Sequence, residues 1–188
     1  MGSAAIEENY HRTGKTTVAF DGTFLAVDKA YWSAGGTSWN ATSKLLELQP
    51  PAKQRLNLGS NVNAWIAFLA DPGLSMKVRD WLIERLDAPL EVTNKNDIIA
   101  VIVTAEAKIF LLTGWYSMVK VDSVPFAEGA TQEGALGAML AGAKAPMGLA
   151  LIARRSAWVV AGIDYVNIET GQFGGIQFEQ RFSEQKVL

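Results

Sequence analysis

Residues 9–22, "NYHRTGKTTVAFDG", hold the choice on which the fold turns. Gly14-Lys15-Thr16 has the look of the end of a phosphate-binding loop, whereas Thr16-Thr17 followed by alternating apolar residues has the look of a strand. A phosphate loop needs a glycine, four further residues and then Gly-Lys-Ser/Thr, because the first glycine lets the backbone amides turn inward and the helix that follows points its N-terminus at the phosphates. Position 9 is Asn. Beyond Thr16, Val18 and Phe20 alternate with small residues, Asp21-Gly22 is a two-residue hairpin signal, and Phe24-Leu25-Ala26-Val27 is a second apolar run. A strand and hairpin stand where the helix should be, so the nucleotide-binding reading fails on its context.

Composition narrows the remaining chemistry. A chain of 188 residues suits one domain, and at this size roughly 70% of the surface of the unfolded chain is buried on folding. With 17 basic and 19 acidic residues the net charge is −2, so no basic field argues for nucleic acid or an anionic membrane as partner. Cysteine is absent and His11 is the one histidine, which removes disulfides, thiol nucleophiles, thiolate metal sites and a Ser-His-Asp triad. His11, in a polar N-terminal segment, reads as solvated, and no cofactor or metal is expected. No apolar stretch approaches the roughly 20 residues of a spanning helix, and the first 15 residues lack the apolar core of a signal peptide. The expectation is a soluble, cytoplasmic protein. Six tryptophans, at 32, 39, 65, 81, 115 and 158, serve either core packing or subunit contact, and both readings stand.

Along the chain there are no repeats and no low-complexity segments. The stretch "SAGGTSWNAT" (33–42) reads as a loop. "SKLLEL" (43–48) and "QRLNLGS" (54–60) read as short strands separated by Pro50-Pro51. "NVNAWIAFLA" (61–70) and "SMKVRDWLIERLD" (75–87) have helical spacing, interrupted at Asp71-Pro72-Gly73; Val78, Trp81, Leu82 and Leu86 share one face. "DIIAVIVTAEAKIFLLTG" (97–114) is two strands about a turn at 105–107. "TQEGALGAMLAGAKAPMGLALIARRSAW" (131–158) is two helices broken at Ala145-Pro146, and "GIDYVNIETGQFGGIQFEQ" (162–180) returns to strand. Segregated blocks of strands and helix pairs predict an α+β fold in which two helix pairs cover opposite faces of a two-sheet sandwich.

On "TTVAFDGTFLAVDK", "SKLLEL" and "EGALGAMLAGAKA" the chain resembles the proteasome β-subunits and the HslV peptidase, and most of all their compact phage-encoded members. The resemblance spans about residues 16–169. It implies the four-layer αββα sandwich of the N-terminal-nucleophile hydrolases, assembly into homo-oligomeric rings, and hydrolysis of peptide bonds by the hydroxyl of an N-terminal threonine. It places Thr16 at the nucleophile position, Asp28 and Lys44 at the family's aspartate and lysine with the family's separation of 16, and Gly59 near the glycine whose backbone borders the substrate groove. Residues 1–15 then form a leader or arm ahead of a single domain, 16–188.

That assignment has a chemical logic. A threonine hydroxyl is a weak nucleophile until a base takes its proton, and in this family the base is the threonine's own α-amine, whose ordinary pKa of about 8 suits exchange near neutrality. An ammonium at Lys44 would stabilise the developing alkoxide, and Asp28 would orient that ammonium. Three departures stand against activity. The family's Gly-Ser-Gly appears as Gly129-Ala130-Thr131, so the assisting serine is Ala130 unless Thr131 substitutes; Ser156 falls at the later assisting aspartate; and Lys15 precedes the nucleophile where glycine is usual, with Gly14 one place back. While Thr16 is joined to Lys15 its nitrogen is an amide and cannot serve as the base. Two functions follow: a ring-forming structural protein, with virion or other assembly proteins as partners, that is inactive while residues 1–15 are attached; or a latent threonine endopeptidase, acting on peptides, that removal of the leader activates. A small-molecule amidase of the same fold is the third reading.

Overall fold

The structure is a computed structural model that describes residues 16–29, 43–84, 97–153 and 162–178. The leader, the 33–42 loop, His11, Lys15, Ser156 and the tryptophans at 32, 39 and 158 lie outside the described residues.

Strand β1 (Thr17–Phe20) turns back into β2 (Phe24–Asp28), pairing Val18 with Val27 and Phe20 with Leu25. The turn is held by Asp21, whose Oδ1 accepts from the N–H groups of Thr23 and Phe24, both at 2.8 Å. Gly22 adopts φ +98°, a left-handed conformation that favours glycine. Then come β3 (Leu45–Glu47), helix α1 (Pro50–Arg55), β4 (Ala64–Phe68), α2 (Pro72–Glu84), β5 (Ile98–Thr104), β6 (Ile109–Thr113), β7 (Met118–Val121), β8 (Phe126–Gly129), α3 (Gln132–Leu140), α4 (Ala145–Ala153), β9 (Gly162–Asn167) and β10 (Phe173–Gln177). One sheet has the order β10-β9-β2-β1-β8 and the other β3-β4-β5-β6-β7. Every described strand pairing is antiparallel.

Three apolar layers join these parts. Val18, Phe20, Val27, Leu45, Trp65 and Val101 pack between the sheets. Leu48, Ala52, Ile66, Val78, Leu82 and Ile102 pack α1 and α2 onto the second sheet. Ala19, Ala26, Ala135, Leu149 and Ile163 pack α3 and α4 onto the first. Each buried Val, Leu, Ile or Phe side chain among these contributes about 1.5–3 kcal/mol. The architecture is therefore the αββα sandwich that the sequence predicts, and Trp81 lies on a helix covering a sheet.

Some local expectations are corrected. Residues 61–70 are not helical: β4 is a central strand whose Trp65 and Ala67 face the other sheet while Ile66 and Phe68 face the helices, so burial on both sides erases the alternation that marks a strand. Residues 54–60 are not a strand. Pro50 and Pro51 open α1, where their missing N–H groups cost nothing, and Asn57 at φ 52° closes it in a left-handed cap with Asn57 N–H on Gln54 O and Leu58 N–H on Lys53 O. Thus α1, not residues 61–70, partners α2. Pro72 opens α2, and Ala145-Pro146 open α4 rather than break it; the break is the left-handed cap at Gly142, φ +96°. A Cβ built on Gly148 would stand 3.5 Å from Ala135 O, in ordinary contact with the neighbouring helix. Of the described tryptophans, Trp65 is core, Trp81 packs on Tyr116 at 4.7 Å, and Trp115 is 60% exposed.

Candidate active site

The hairpin register brings the first two groups together. Pairing of Val18 with Val27 sets Asp28, the last residue of β2, beside Thr17, and Asp28 Oδ2 accepts the Thr17 N–H. Lys44 comes from the other sheet. It immediately precedes β3, where its carbonyl accepts the N–H of Phe68 in β4, and its side chain crosses the sandwich to reach the end of β1. There Lys44 Nζ donates to Thr16 Oγ1 at 2.7 Å and to Asp28 Oδ1 at 3.2 Å. All three side chains are buried, with Thr16 2%, Lys44 1% and Asp28 0% exposed.

Burial lowers the Lys44 pKa below the ordinary lysine value; the charge and hydrogen bond of Asp28, and the charge of Asp164, oppose that shift without cancelling it. The arrangement can therefore do two things chemically. The ammonium can stabilise an alkoxide at Thr16 Oγ1, and Asp28 fixes the direction from which it does so.

The backbone of Thr16 is held by the far edge of the same sheet. Ala130 N–H donates to Thr16 O at 3.2 Å, and Gly129, at φ +112°, lies so close that a Cβ on it would stand 1.9 Å from that oxygen. The Thr131 hydroxyl does not turn to Thr16. It pairs with Thr17 Oγ1 at 2.8 Å, and the Thr131 N–H donates to the same oxygen at 3.0 Å, tying the start of β1 to the start of α3.

Of the four residues picked from the sequence, three meet here. Gly59 is not brought to them: it lies in the turn before β4, with Val62 as its neighbour, whereas Lys44 is anchored at the opposite end of β4 by Phe68. Two acidic residues escaped the sequence reading. Glu128 on β8 pairs with Val18, which faces the gap between the sheets, and burial pushes its carboxyl up. Asp164 on β9 pairs with Val27 and forms an ion pair with Lys29 at 2.9 Å. Nothing in the spacing of either residue marks it, because both are placed by strand pairings that cross long stretches of chain.

No family model and no curated protein matches the sequence. Among solved structures, Anbu from Hyphomicrobium sp. strain MC1 is similar with a TM-score of 0.58, over 87% of this chain and 88% of that one. The fold is that of the proteasome-like N-terminal-nucleophile hydrolases. At 11% identity the likeness concerns the fold alone; the case for the site rests on the contacts of Thr16, Asp28 and Lys44 themselves.

Proposed function

We propose that this chain is a proteasome-β/HslV-like subunit with a latent threonine site, inactive while residues 1–15 precede Thr16 and able to hydrolyse peptide bonds once Thr16 is the N-terminus. The observation that carries this reading is the 2.7 Å hydrogen bond from the buried Lys44 ammonium to Thr16 Oγ1. Burying a lysine costs several kcal/mol even when it is paired, and apolar residues of like volume serve stability as well or better. A cation kept in such a place, aimed at a hydroxyl, is what alkoxide chemistry requires.

In the trimmed chain the Thr16 α-amine would take the Oγ1 proton as Oγ1 adds to the scissile carbonyl carbon. That proton would then pass to the departing amine, and water would cleave the resulting ester. Lys44 would stabilise the negative oxygen of Thr16 as it forms, and Asp28 would hold Lys44 in line. With the Lys15–Thr16 amide intact there is no α-amine, and the cycle cannot begin.

A second reading, a non-catalytic ring or shell component such as a virion part, is favoured by one specific observation. The assisting-serine position is Ala130, and the neighbouring Thr131 hydroxyl is engaged with Thr17 rather than offered to Thr16. Both readings include a closed homo-oligomeric ring, which exposed Leu140, Met147 and Leu151 on the outer helices support; light scattering that finds a monomer at micromolar concentration refutes the ring.

The test of function is a chain made to begin at Thr16. Hydrolysis of a broad peptide library by that chain, absent in the full-length protein and lost in Thr16→Ala, supports the latent peptidase. No hydrolysis, together with loss of the oligomer on trimming, supports the structural reading.

A further inference from the structure

We propose that Asp164, with Lys29 as its counter-charge, is a positioning residue that holds Lys44 in its ammonium form, hydrogen-bonded to Thr16. Its bearing on catalysis rests on the latent-peptidase reading; its electrostatic part does not.

The placement comes from strand register. On β9, Ile163 pairs with Asp28 and Asp164 with Val27, so Asp164 is one rung from the aspartate that contacts Lys44. Ile163 faces α3 and α4, whereas Val27 and Val166 face the gap between the sheets. Alternation therefore turns Asp164 toward that gap, the side from which Lys44 enters, and β3 packs against β9 there. Lys29 is brought to the same spot by its own backbone, its N–H donating to Gly162 O at 2.9 Å. Its Nζ meets Asp164 Oδ1 at 2.9 Å, with side chains 24% and 14% exposed.

Charges thus alternate from the rim inward, Lys29, Asp164, Lys44, Asp28. The outer pair touches solvent and the inner pair does not. Asp28 accepts from both Lys44 and the Thr17 N–H, and burial is the largest influence on Lys44. A second negative charge, on the gap side of the sheet, opposes that burial, and Asp164 supplies it. Among the described residues, the other titratable or polar groups facing the gap near Lys44 are the Thr16 hydroxyl, just before β1, and Glu128 from β8, while β4, with the sequence Ala-Trp-Ile-Ala-Phe, brings no charge. Lys29 tempers Asp164: it orients the carboxylate and partly neutralises it.

The two members of the outer pair therefore act on Lys44 with opposite signs. A purely structural ion pair would not behave this way. The experiment is lysine-selective 13C/15N NMR of the full-length protein, with the Lys44 side-chain signal assigned by its disappearance in Lys44→Met and followed through a pH titration. Asp164→Asn should lower the Lys44 midpoint and Lys29→Met should raise it, each by roughly half a unit, the order expected for one partly screened charge at a protein site. No movement in either folded variant, or movement in the same direction in both, overturns the proposal, and if one variant fails to fold the sign of the other decides. In the chain beginning at Thr16 the alkaline limb of the rate profile should move in the same two directions. Lack of activity in that chain counts against the peptidase reading, and the Lys44 titration in the full-length protein then decides the role of Asp164 by itself.

Discussion

Gly129→Ala tests how closely the edge of the first sheet grips the Thr16 backbone. Gly129 holds φ +112°, and a Cβ there would stand 1.9 Å from Thr16 O. Real Cβ contacts do not fall below 3.0 Å, so the oxygen or the strand must retreat by 3.0 minus 1.9, about 1.1 Å. The left-handed conformation alone costs a non-glycine residue about 1–2 kcal/mol. A retreat of that size also breaks the 3.2 Å hydrogen bond from Ala130 N–H to Thr16 O and weakens the rung between Thr17 and Gly129, each worth about 1 kcal/mol. The sum is about 3–4 kcal/mol, or a fall in Tm of roughly 6–16 °C for a chain of this size. Gly142→Ala is the matched comparison, because Gly142 holds φ +96° with nothing within 4 Å of the added carbon. That variant should lose only the conformational part, about 1–2 kcal/mol. Calorimetry and urea titration of both variants separate strain from collision. Equal losses at the two glycines would refute the close apposition of Gly129 and Thr16.

Three further outcomes are expected. Asp21→Ala removes the acceptor of the Thr23, Phe24 and Ala145 N–H groups, each at 2.8 Å, and so both loosens the hairpin and uncaps α4; urea unfolding should show a loss of about 1–3 kcal/mol, with a smaller loss for Asp21→Asn. Lys44→Met takes the counter-charge from the buried Asp28 and should cost about 3–5 kcal/mol, while adding Asp28→Asn to it should recover part of the loss, a coupling that a double-mutant cycle measures. The pH dependence follows from the lowered pKa of Lys44: the unfolded chain binds this proton more readily, so the group's contribution to stability is complete above the ordinary value and is lost as pH falls toward the folded one. The stability of the wild type minus that of Lys44→Met should therefore rise as pH climbs toward the ordinary lysine value of about 10.5, and a fall would refute the sign.

The opening stretch could be read without a structure because its signals are local. Asp21-Gly22 between two apolar runs specifies a hairpin of short range, and a hairpin of that length sets Asp28 beside Thr17 by register alone. The apolar face of α2 and the pair β5–β6 were legible for the same reason, since periodicity and turn residues act over a few positions. Local signals fail where burial is supplied from both sides. In β4 the first sheet and the helix layer each cover one face, so its apolar run carries no period and looks helical. Pro50-Pro51 punctuates equally well before a strand or at the start of a helix, and only packing against α2 decides for the helix. The strands β7 and β8 carried no sequence signal that set them apart, and with β8 went the setting of Glu128 and the grip of Gly129 on Thr16.

The sequence by itself determined which groups are available: no cysteine, one histidine, a Thr-Thr strand start, and an aspartate and lysine 16 apart. Spacing cannot say that Lys44 reaches Thr16, because the two belong to different sheets and the 2.7 Å contact exists only when those sheets pack face to face. The same is true of Asp164, which lies far along the chain and is delivered beside Asp28 by the pairing of β9 with β2. Covalent neighbours decide what a residue is; the sandwich decides how far its charge is from water, and that burial, which works against the ammonium, is why Lys44 depends on the carboxylates brought beside it.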